Sequence, residues 1–400
     1  MAEAFFSAQP SPGEIEARIE GFPSWIEVDL DRVGFNLEGI RRRVGVEVIP
    51  CVKANAYGHG VVPVTAYLMR RGVRRVLVAK LGEALQLREA GLDCGIINMD
   101  PLFSAEQREA VVGRGITQAV FSVGAAEALG EAARRLRRAA EVFIKVDTGL
   151  GRVGVGHGEA ADLVERVSSL PGVRVGGVFS TFAEDERHDR LQLERMLALD
   201  GELRRRGLDP GTRSMASSHA ILNLPEAYLD AVRPGLTLYG VHPGEGGPVL
   251  ELRQALSLKA RLEQVKWIEA GEAVTYGRRF VAPRRMRAGT VHVGYSDGYP
   301  RGLTNRGRVS VGGELRPVLG TVSVNHFVVD LTGTDARAGD AVEAIGRSGE
   351  NAVGRLAGLA GMTPYGLLVG LSPLTPRIYC EGGRPVALSE PRLAERGPPP

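Results

Sequence analysis

Residues 46–60 read Val-Glu-Val-Ile-Pro-Cys-Val-Lys-Ala-Asn-Ala-Tyr-Gly-His-Gly. The first half is an apolar, β-branched run, the pattern of a strand buried on both faces. It ends on Lys53, followed by a polar, glycine-bearing turn. An ammonium at the end of a buried strand is costly to desolvate unless it is paired or deprotonated. Two readings are open at this point. Lys53 either leaves the strand for solvent, or its amine condenses with an aldehyde to form an imine. Turns of this composition are the kind of loop that carries sites.

Working outward, strand-like runs recur at 75–79, 95–99, 118–122, 141–147, 173–180, 212–217 and 232–239. Helical patterns lie between most of them, such as Ala125, Leu129, Ala133 and Leu136. Strand–helix alternation at this spacing predicts parallel βα units. About eight units in roughly 200 residues match a closed (β/α)8 barrel of the α/β class; an open doubly wound sheet is the rival. In a barrel the chemistry gathers where strands end. Those ends carry Lys53, Lys145 with Asp147, Thr181, Ser217 with Ser218, and Arg233. Phosphate sites favour the loops after strands seven and eight, here the source of Ser218 and Gly235. From about residue 248 the periods become short and glycine-punctuated, which predicts a second, mostly β domain. The segment 353–371 adds a helix before a closing strand at 377–379. The division expected is a weakly structured lead over 1–23, the barrel over 24–245, the β-rich domain over 246–382 and a disordered tail over 383–400.

Composition narrows the function classes. The 50 Lys+Arg and 47 Asp+Glu leave a net charge of +3, which argues against a dedicated nucleic-acid binder. No run approaches the ~18 apolar residues of a membrane span, and the first 20 residues lack a basic start and apolar core. Three cysteines, at no disulfide or metal-ligand spacing, fit a reducing compartment. A cytoplasmic protein of enzyme size is expected.

Gly149 to Gly154 is formally G-x-G-x-x-G, but the next strand ends without the acidic residue a dinucleotide site needs, and four βα units precede it. The seven histidines show no H-x-H or H-E-x-x-H arrangement, so no metal site is expected.

Lys53 to Gly60 (K-A-N-A-Y-G-H-G) closely resembles the cofactor-lysine motif of alanine racemases, which use pyridoxal 5'-phosphate (PLP). Further stretches resemble the same family in order: F-I-K-V-D-T-G-L-G-R-V-G (143–154), V-R-P-G (232–235), L-Y-G (238–240), S-L-K-A (257–260), V-T-Y-G (274–277), G-Y-S-D-G-Y (294–299) and T-P-Y-x-x-L around Tyr365. The resemblance spans roughly residues 24 to 380. It implies that Lys53 carries PLP and acts as one catalytic base, with Tyr276 as the second. It implies that Tyr57, Ser218, Tyr365 and the Gly235–Leu236 backbone hold the phosphate and that Arg233 faces the pyridine nitrogen. Arg152, Tyr295 and Val324 would meet the substrate, with Lys145, often carbamylated in the family, supporting Arg152. Tyr276 and Tyr295 would come from the partner subunit of a homodimer.

The resemblance has departures. Thr181 and Ser214 stand where the family usually has histidines, Ser217 where it has asparagine, and Ser323-Val324-Asn325-His326 where it has Cys-Met-Asp-Gln. The activity implied is interconversion of L- and D-alanine, supplying D-alanine for peptidoglycan. Racemisation of another small amino acid such as serine, or a non-catalytic PLP-binding barrel, are the alternatives. The β domain carrying Tyr276 speaks against a barrel-only carrier.

Overall fold

The computed structural model describes residues 2–244 and 250–391. Strand β1 (Ser24–Asp29) comes first. A ring of short parallel strands follows: β2 (Glu47–Val48), β3 (Arg75–Val78), β4 (Gly95–Asn98), β5 (Thr117–Val120) and β6 (Ala140–Asp147), then, past a two-residue pair β7 (Val155–Gly156), β8 (Val173–Phe179), β9 (Thr212–Ser214) and β10 (Ala231–Val232). Their order is β2-β10-β9-β8-β6-β5-β4-β3, with β7 attached to β6. A parallel bridge between Cys51 and Leu77 closes the ring, so the sheet is a (β/α)8 barrel. The strands are apolar on both sides because helices cover the outside and their own inward side chains fill the inside.

The last barrel strand is shorter than the sequence run suggested. Only Ala231–Val232 pairs; Leu236–Tyr239 coils into a 3-10 turn after Pro234 and Gly235. Pro234 has no N–H for a ladder.

Strand β11 (Leu256–Ile268) opens the second sheet. It pairs with Met286–Val291 on one part of its length and Ala341–Ile345 on another. Phe327–Asp330, Glu314–Leu319 and Arg308–Val311 complete the circuit between those two, giving a closed six-stranded antiparallel barrel. Closure removes the exposed edges that antiparallel sheets otherwise carry. Helices Val353–Ala360 and Pro364–Val369 follow, then a closing strand Arg377–Glu381.

Three expectations at the boundaries are corrected. β1 does not belong to the (β/α)8 barrel: it pairs with β11 and with Arg377–Glu381, so the chain starts in the second sheet before entering the barrel. The lead over 1–23 contains helices Ala2–Ser7 and Pro12–Ile19. The second starts on a Ser11–Glu14 capping box and buries Ile15 against Trp25 and Ile378. In the expected disordered tail, Arg384–Ser389 is a strand paired with Arg377–Glu381, joined through the Gly382-Gly383 turn. Residues 392–400 and the expected boundary at 245/246 lie outside the described residues. One hydrophobic core runs from the barrel helices to the second sheet, including Ile49, Ile144, Leu256, Phe327 and Leu367.

The turn after β2 is held in an uncommon conformation. Ala54, Asn55, Ala56 and Tyr57 have φ of 53°, 54°, 54° and 51°, one turn of left-handed helix. For L-residues this costs roughly 1–2 kcal/mol each, so neighbours must hold it. Asn55 N–H donates to Glu83 (2.9 Å), and Asn55 Oδ1 accepts from Val61 N–H (2.8 Å). His59, fully buried, lies with Nδ1 3.0 Å from the carbonyls of both Ala56 and Tyr57, which can only accept, so Nδ1 carries the proton. Its ring stacks on Tyr239 at 4.3 Å, and the Tyr239 hydroxyl donates to the Cys51 carbonyl (2.9 Å).

Burial pushes His59 down to about 4 from an ordinary 6.5. The unfolded chain therefore binds this proton first on acidification. The contribution is complete above pH 6.5 and is lost as pH falls to about 4, a loss on the order of 3 kcal/mol. Urea unfolding between pH 7 and 4 should show that decline in the wild type. It should be flatter in His59→Phe, which keeps a ring on Tyr239 and cannot titrate; an equal slope in both would assign the decline to another group.

Candidate active site

A cavity of about 680 Å³ opens at the carboxyl ends of the barrel strands. Every one of the eight strands contributes to its lining: Lys53 after β2, Leu77 and Ala79 at β3, Met99 after β4, Ala119 and Phe121 at β5, Lys145 in β6, Phe179 and Thr181 at β8, Ser217 and Ser218 after β9, Arg233 and Gly235 after β10. Tyr365 enters it from helix Pro364–Val369.

Charge is distributed unevenly here. Lys53, Lys145, Arg152 and Arg233 line the cavity, against one carboxylate, Glu184. Among the described residues none of the four cations has a carboxylate within salt-bridge distance. Arg233 is buried and donates to neutral acceptors, Ser214 Oγ (2.5 Å), the Ser180 carbonyl (2.5 Å) and the Met215 carbonyl (3.3 Å). Burial pushes it down to about 10, which still leaves it charged near neutrality. Lys145 donates to Thr181 Oγ1 (2.8 Å) and sits 4.8 Å from the centre of the Phe179 ring. Burial, with the Arg233 and Arg152 charges added, holds its amine well below the ordinary lysine value.

A second group of side chains gathers around Gly235. Ser218 Oγ accepts from the Gly235 N–H (2.9 Å) and the Thr237 N–H (3.3 Å). The Tyr57 ring lies 5.8 Å from that of Tyr365 and 5.4 Å from that of Tyr239. Burial raises the Tyr57 and Tyr365 hydroxyls well above the usual tyrosine range, so both stay protonated and can donate. A Cβ on Gly235 would come within 2.7 Å of the Tyr57 hydroxyl, so this backbone has room for no side chain. Protonated hydroxyls, with the cavity's cations and a single carboxylate, form a lining suited to an anion.

The residues singled out from sequence therefore divide in two. Lys53, Tyr57, Lys145, Arg152, Ser218, Arg233, Gly235 and Tyr365 border one cavity; Leu236 is buried directly behind Gly235. Tyr276, Tyr295 and Val324 do not reach it: they stand 75%, 45% and 46% exposed on the second sheet. Tyr276 sits on the strained turn Tyr276–Arg278. Thr275, a β-branched residue, has φ 59°, held by the Thr321 N–H donating to its Oγ1 (2.6 Å) and the Thr321 hydroxyl donating to the Tyr276 carbonyl (2.7 Å). Tyr295 and Val324 are on adjoining loops, with Tyr295 N–H donating to the Ser323 carbonyl (3.1 Å).

Two supporting residues were not read from the sequence. Glu83 accepts from Asn55, Ala79 and Lys80 N–H groups, and its reach to Asn55, 28 positions away, leaves no local signal. Buried Gln192 ties the Thr181 carbonyl (3.0 Å) to the Ala183 N–H (2.8 Å), and nothing local marks it.

Gly235→Ala should cost about 1–3 kcal/mol by overpacking, read from urea unfolding. Adding Tyr57→Phe, which removes the contacted hydroxyl, should recover part of that loss. Strictly additive effects would mean that the two positions do not collide.

Sequence models of the family match in two parts, the alanine racemase N-terminal domain over residues 28–243 and the C-terminal domain over 255–379. The alanine racemase of Symbiobacterium thermophilum is 38% identical over 367 residues, covering 89% of this chain and 97% of the relative. Among solved structures, the alanine racemase of Clostridium difficile 630 superposes with a TM-score of 0.88 at 28% identity, covering 92% of this chain and 98% of the other. The alanine racemase of Bartonella henselae, solved with covalently bound pyridoxal phosphate, gives a TM-score of 0.78 at 28% identity, covering 90% of this chain and all of that one. With both domains matched in order, the chain belongs to the alanine racemase family, enzymes of the isomerase class that racemise an amino acid.

Proposed function

We propose that this chain interconverts L- and D-alanine with pyridoxal 5'-phosphate, using Lys53 and Tyr276 as two bases from two copies of the chain. The observation that carries the reading is the cation-lined cavity at the barrel mouth, with its lysine on a held turn and its protonated hydroxyls near Gly235. That donor set fits an aromatic phosphate bearing an aldehyde. Lys53 would hold the group covalently. Tyr57, Tyr365, Ser218 and the Gly235–Leu236 backbone would take its phosphate, and Arg233 would face its ring nitrogen. When bound, PLP supplies a sink for the charge left at the substrate Cα by proton loss.

The chain's residues do the rest. Arg152 is a guanidinium at the cavity rim, the best bidentate partner for the substrate carboxylate. Lys145, desolvated behind it, keeps a weakly basic amine, the form that can take up carbon dioxide as a carbamate with release of a proton. Arg233 does not give up its proton, so a nitrogen facing it stays largely unprotonated. A planar Cα exposes two faces, and one residue reaches only one of them. Lys53 would return or remove the proton on one face and the Tyr276 hydroxyl on the other.

Tyr276 cannot serve the cavity of its own chain as folded, which supports a homodimer in which Tyr276, Tyr295 and Val324 complete the site of a second copy. No described helix is long and apolar enough to cross a membrane. A cytoplasmic supply of D-alanine for peptidoglycan follows from the reading. Thr181 and Ser214 leave room for another small amino acid, and serine is the second substrate to test.

Incubation with PLP followed by borohydride should fix the cofactor on Lys53, found by peptide mapping; label elsewhere would refute the assignment. Mixing inactive Lys53→Ala protein with inactive Tyr276→Phe protein should restore part of the racemase activity, since some mixed dimers hold one intact site. No recovery after verified subunit exchange would exclude shared sites.

Solvent-deuterium exchange at Cα separates the two bases. In Tyr276→Phe, exchange from L-alanine should fall about 10²–10⁴-fold while exchange from D-alanine persists. Equal loss from both enantiomers would remove Tyr276 as a face-specific base.

A further inference from the structure

The loops that carry Tyr295 and Val324 rest on a cluster that the racemase reading does not use. Glu263, His292 and His326 bring one carboxylate oxygen and two ring nitrogens within 4.8 Å of one another. Glu263 Oε2 lies 2.9 Å from His292 Nδ1 and 2.7 Å from His326 Nε2, and the two rings meet edge to face at 4.9 Å. The histidines are 29 and 63 positions from Glu263, so no spacing motif announces them.

Sheet register makes the cluster. Leu262 pairs with Val291, and Val291 pairs with Phe327, so the three residues flank one row across three hydrogen-bonded strands. Leu262, Val291 and Phe327 are buried, so alternation sends their neighbours Glu263, His292 and His326 to the outer face. The register between β11 and Met286–Val291 shifts between Leu262 and Gln264, making Glu263 the extra residue of a β-bulge. Bulges re-aim a side chain, and this one turns a carboxylate towards both imidazoles. A simple ion pair would need only one imidazole.

We propose that Glu263, His292 and His326 bind one divalent transition-metal ion, with zinc as the reference ion. Two imidazoles and one carboxylate select this class over magnesium or calcium, which prefer oxygen alone. Metal–ligand bonds near 2 Å place tetrahedral donors ~3.3 Å apart, which these half-exposed side chains reach by small rotations from their present hydrogen bonds. Water takes the fourth position. The ion joins β11 to the start of the 292–297 loop and the end of the 323–326 turn. Those two segments already touch, Ser296 N–H donating to the Val324 carbonyl (3.0 Å), and His326 accepts from Ser323 through its own carbonyl (2.8 Å). The metal therefore clamps the platform beneath Tyr295 and Val324. The site stands whether or not those residues serve a second copy.

Chelator-treated full-length protein should bind one zinc per chain in calorimetry and show a higher Tm with zinc present. His326→Gln, His292→Gln and Glu263→Gln should each weaken binding at least about tenfold and abolish the Tm rise, while His157→Gln, at an exposed histidine elsewhere, should change neither. Amide hydrogen exchange over 294–297 and 323–326 should slow with zinc in the wild type only. Absence of saturable zinc uptake in the wild type, or uptake that survives all three cluster variants, would overturn the proposal. The three variants' Tm values without metal report their folding, so loss of binding in folded variants assigns the ligands.

Discussion

The constraint on which the barrel mouth depends is unpaired positive charge. Lys53, Lys145 and Arg233 converge where all eight strands end; burial beside the fixed Arg233 charge makes protonating Lys145 costly, so its amine is held weakly basic while Arg233 keeps its charge. Proteins usually settle such charges with carboxylates. Here the donors are met by neutral acceptors instead: Thr181 takes Lys145, while Ser214 and two carbonyls take Arg233. Each hydrogen bond is satisfied, while the Arg233 charge is left without a carboxylate. A ligand that brings its own negative charge would meet a single carboxylate, Glu184, in this lining.

The same logic gives physical meaning to the two positions where the family usually has histidine. An imidazole can accept, but it can also become a cation, and another cation next to Lys145 or Arg233 would raise the cost of that cluster. A hydroxyl keeps the acceptor and cannot add a charge. Thr181 and Ser214 are therefore consistent replacements as far as Lys145 and Arg233 are concerned. What they do not supply is the length of an imidazole, so whatever lay beyond the ring must be reached by other means.

Much of this was legible from residues alone. Lys53, Lys145, Ser218 and Arg233 could be placed because a parallel strand is a continuous apolar run, and a polar residue at its end is conspicuous. The eight runs gave the barrel for the same reason. What stayed hidden was set by contacts between distant segments. β1 falls within the span expected for the barrel, 24–245, yet its partners, β11 and Arg377–Glu381, are more than 200 residues away. The lead looks unstructured because among residues 2–23 only one side chain, Ile15, is fully buried, and one of its two buried partners, Ile378, lies at the far end of the chain. The left-handed turn at 54–57 has no glycine to signal it until Gly58; Glu83 and His59 hold it from outside.

The second barrel shows why such contacts matter for chemistry. In the proposed two-chain site, a base supplied by another copy would have to be held on something stiff, because a misplacement of about 1 Å can cost orders of magnitude in rate. Tyr276 is on a turn of a single helical step, the least rigid kind of element taken alone. Its stiffness comes from Thr275 and Thr321, which join that turn to the end of strand Glu314–Leu319, and from a sheet that closes on itself and so cannot splay at an edge. The strain at Thr275 is tolerable only because this closed frame over-determines it. A frame of that kind also brings the bulge at Glu263 against His292 and His326 with little freedom left to lose. Ordering entropy, the usual obstacle to assembling three ligands from distant segments, has already been spent on folding the barrel.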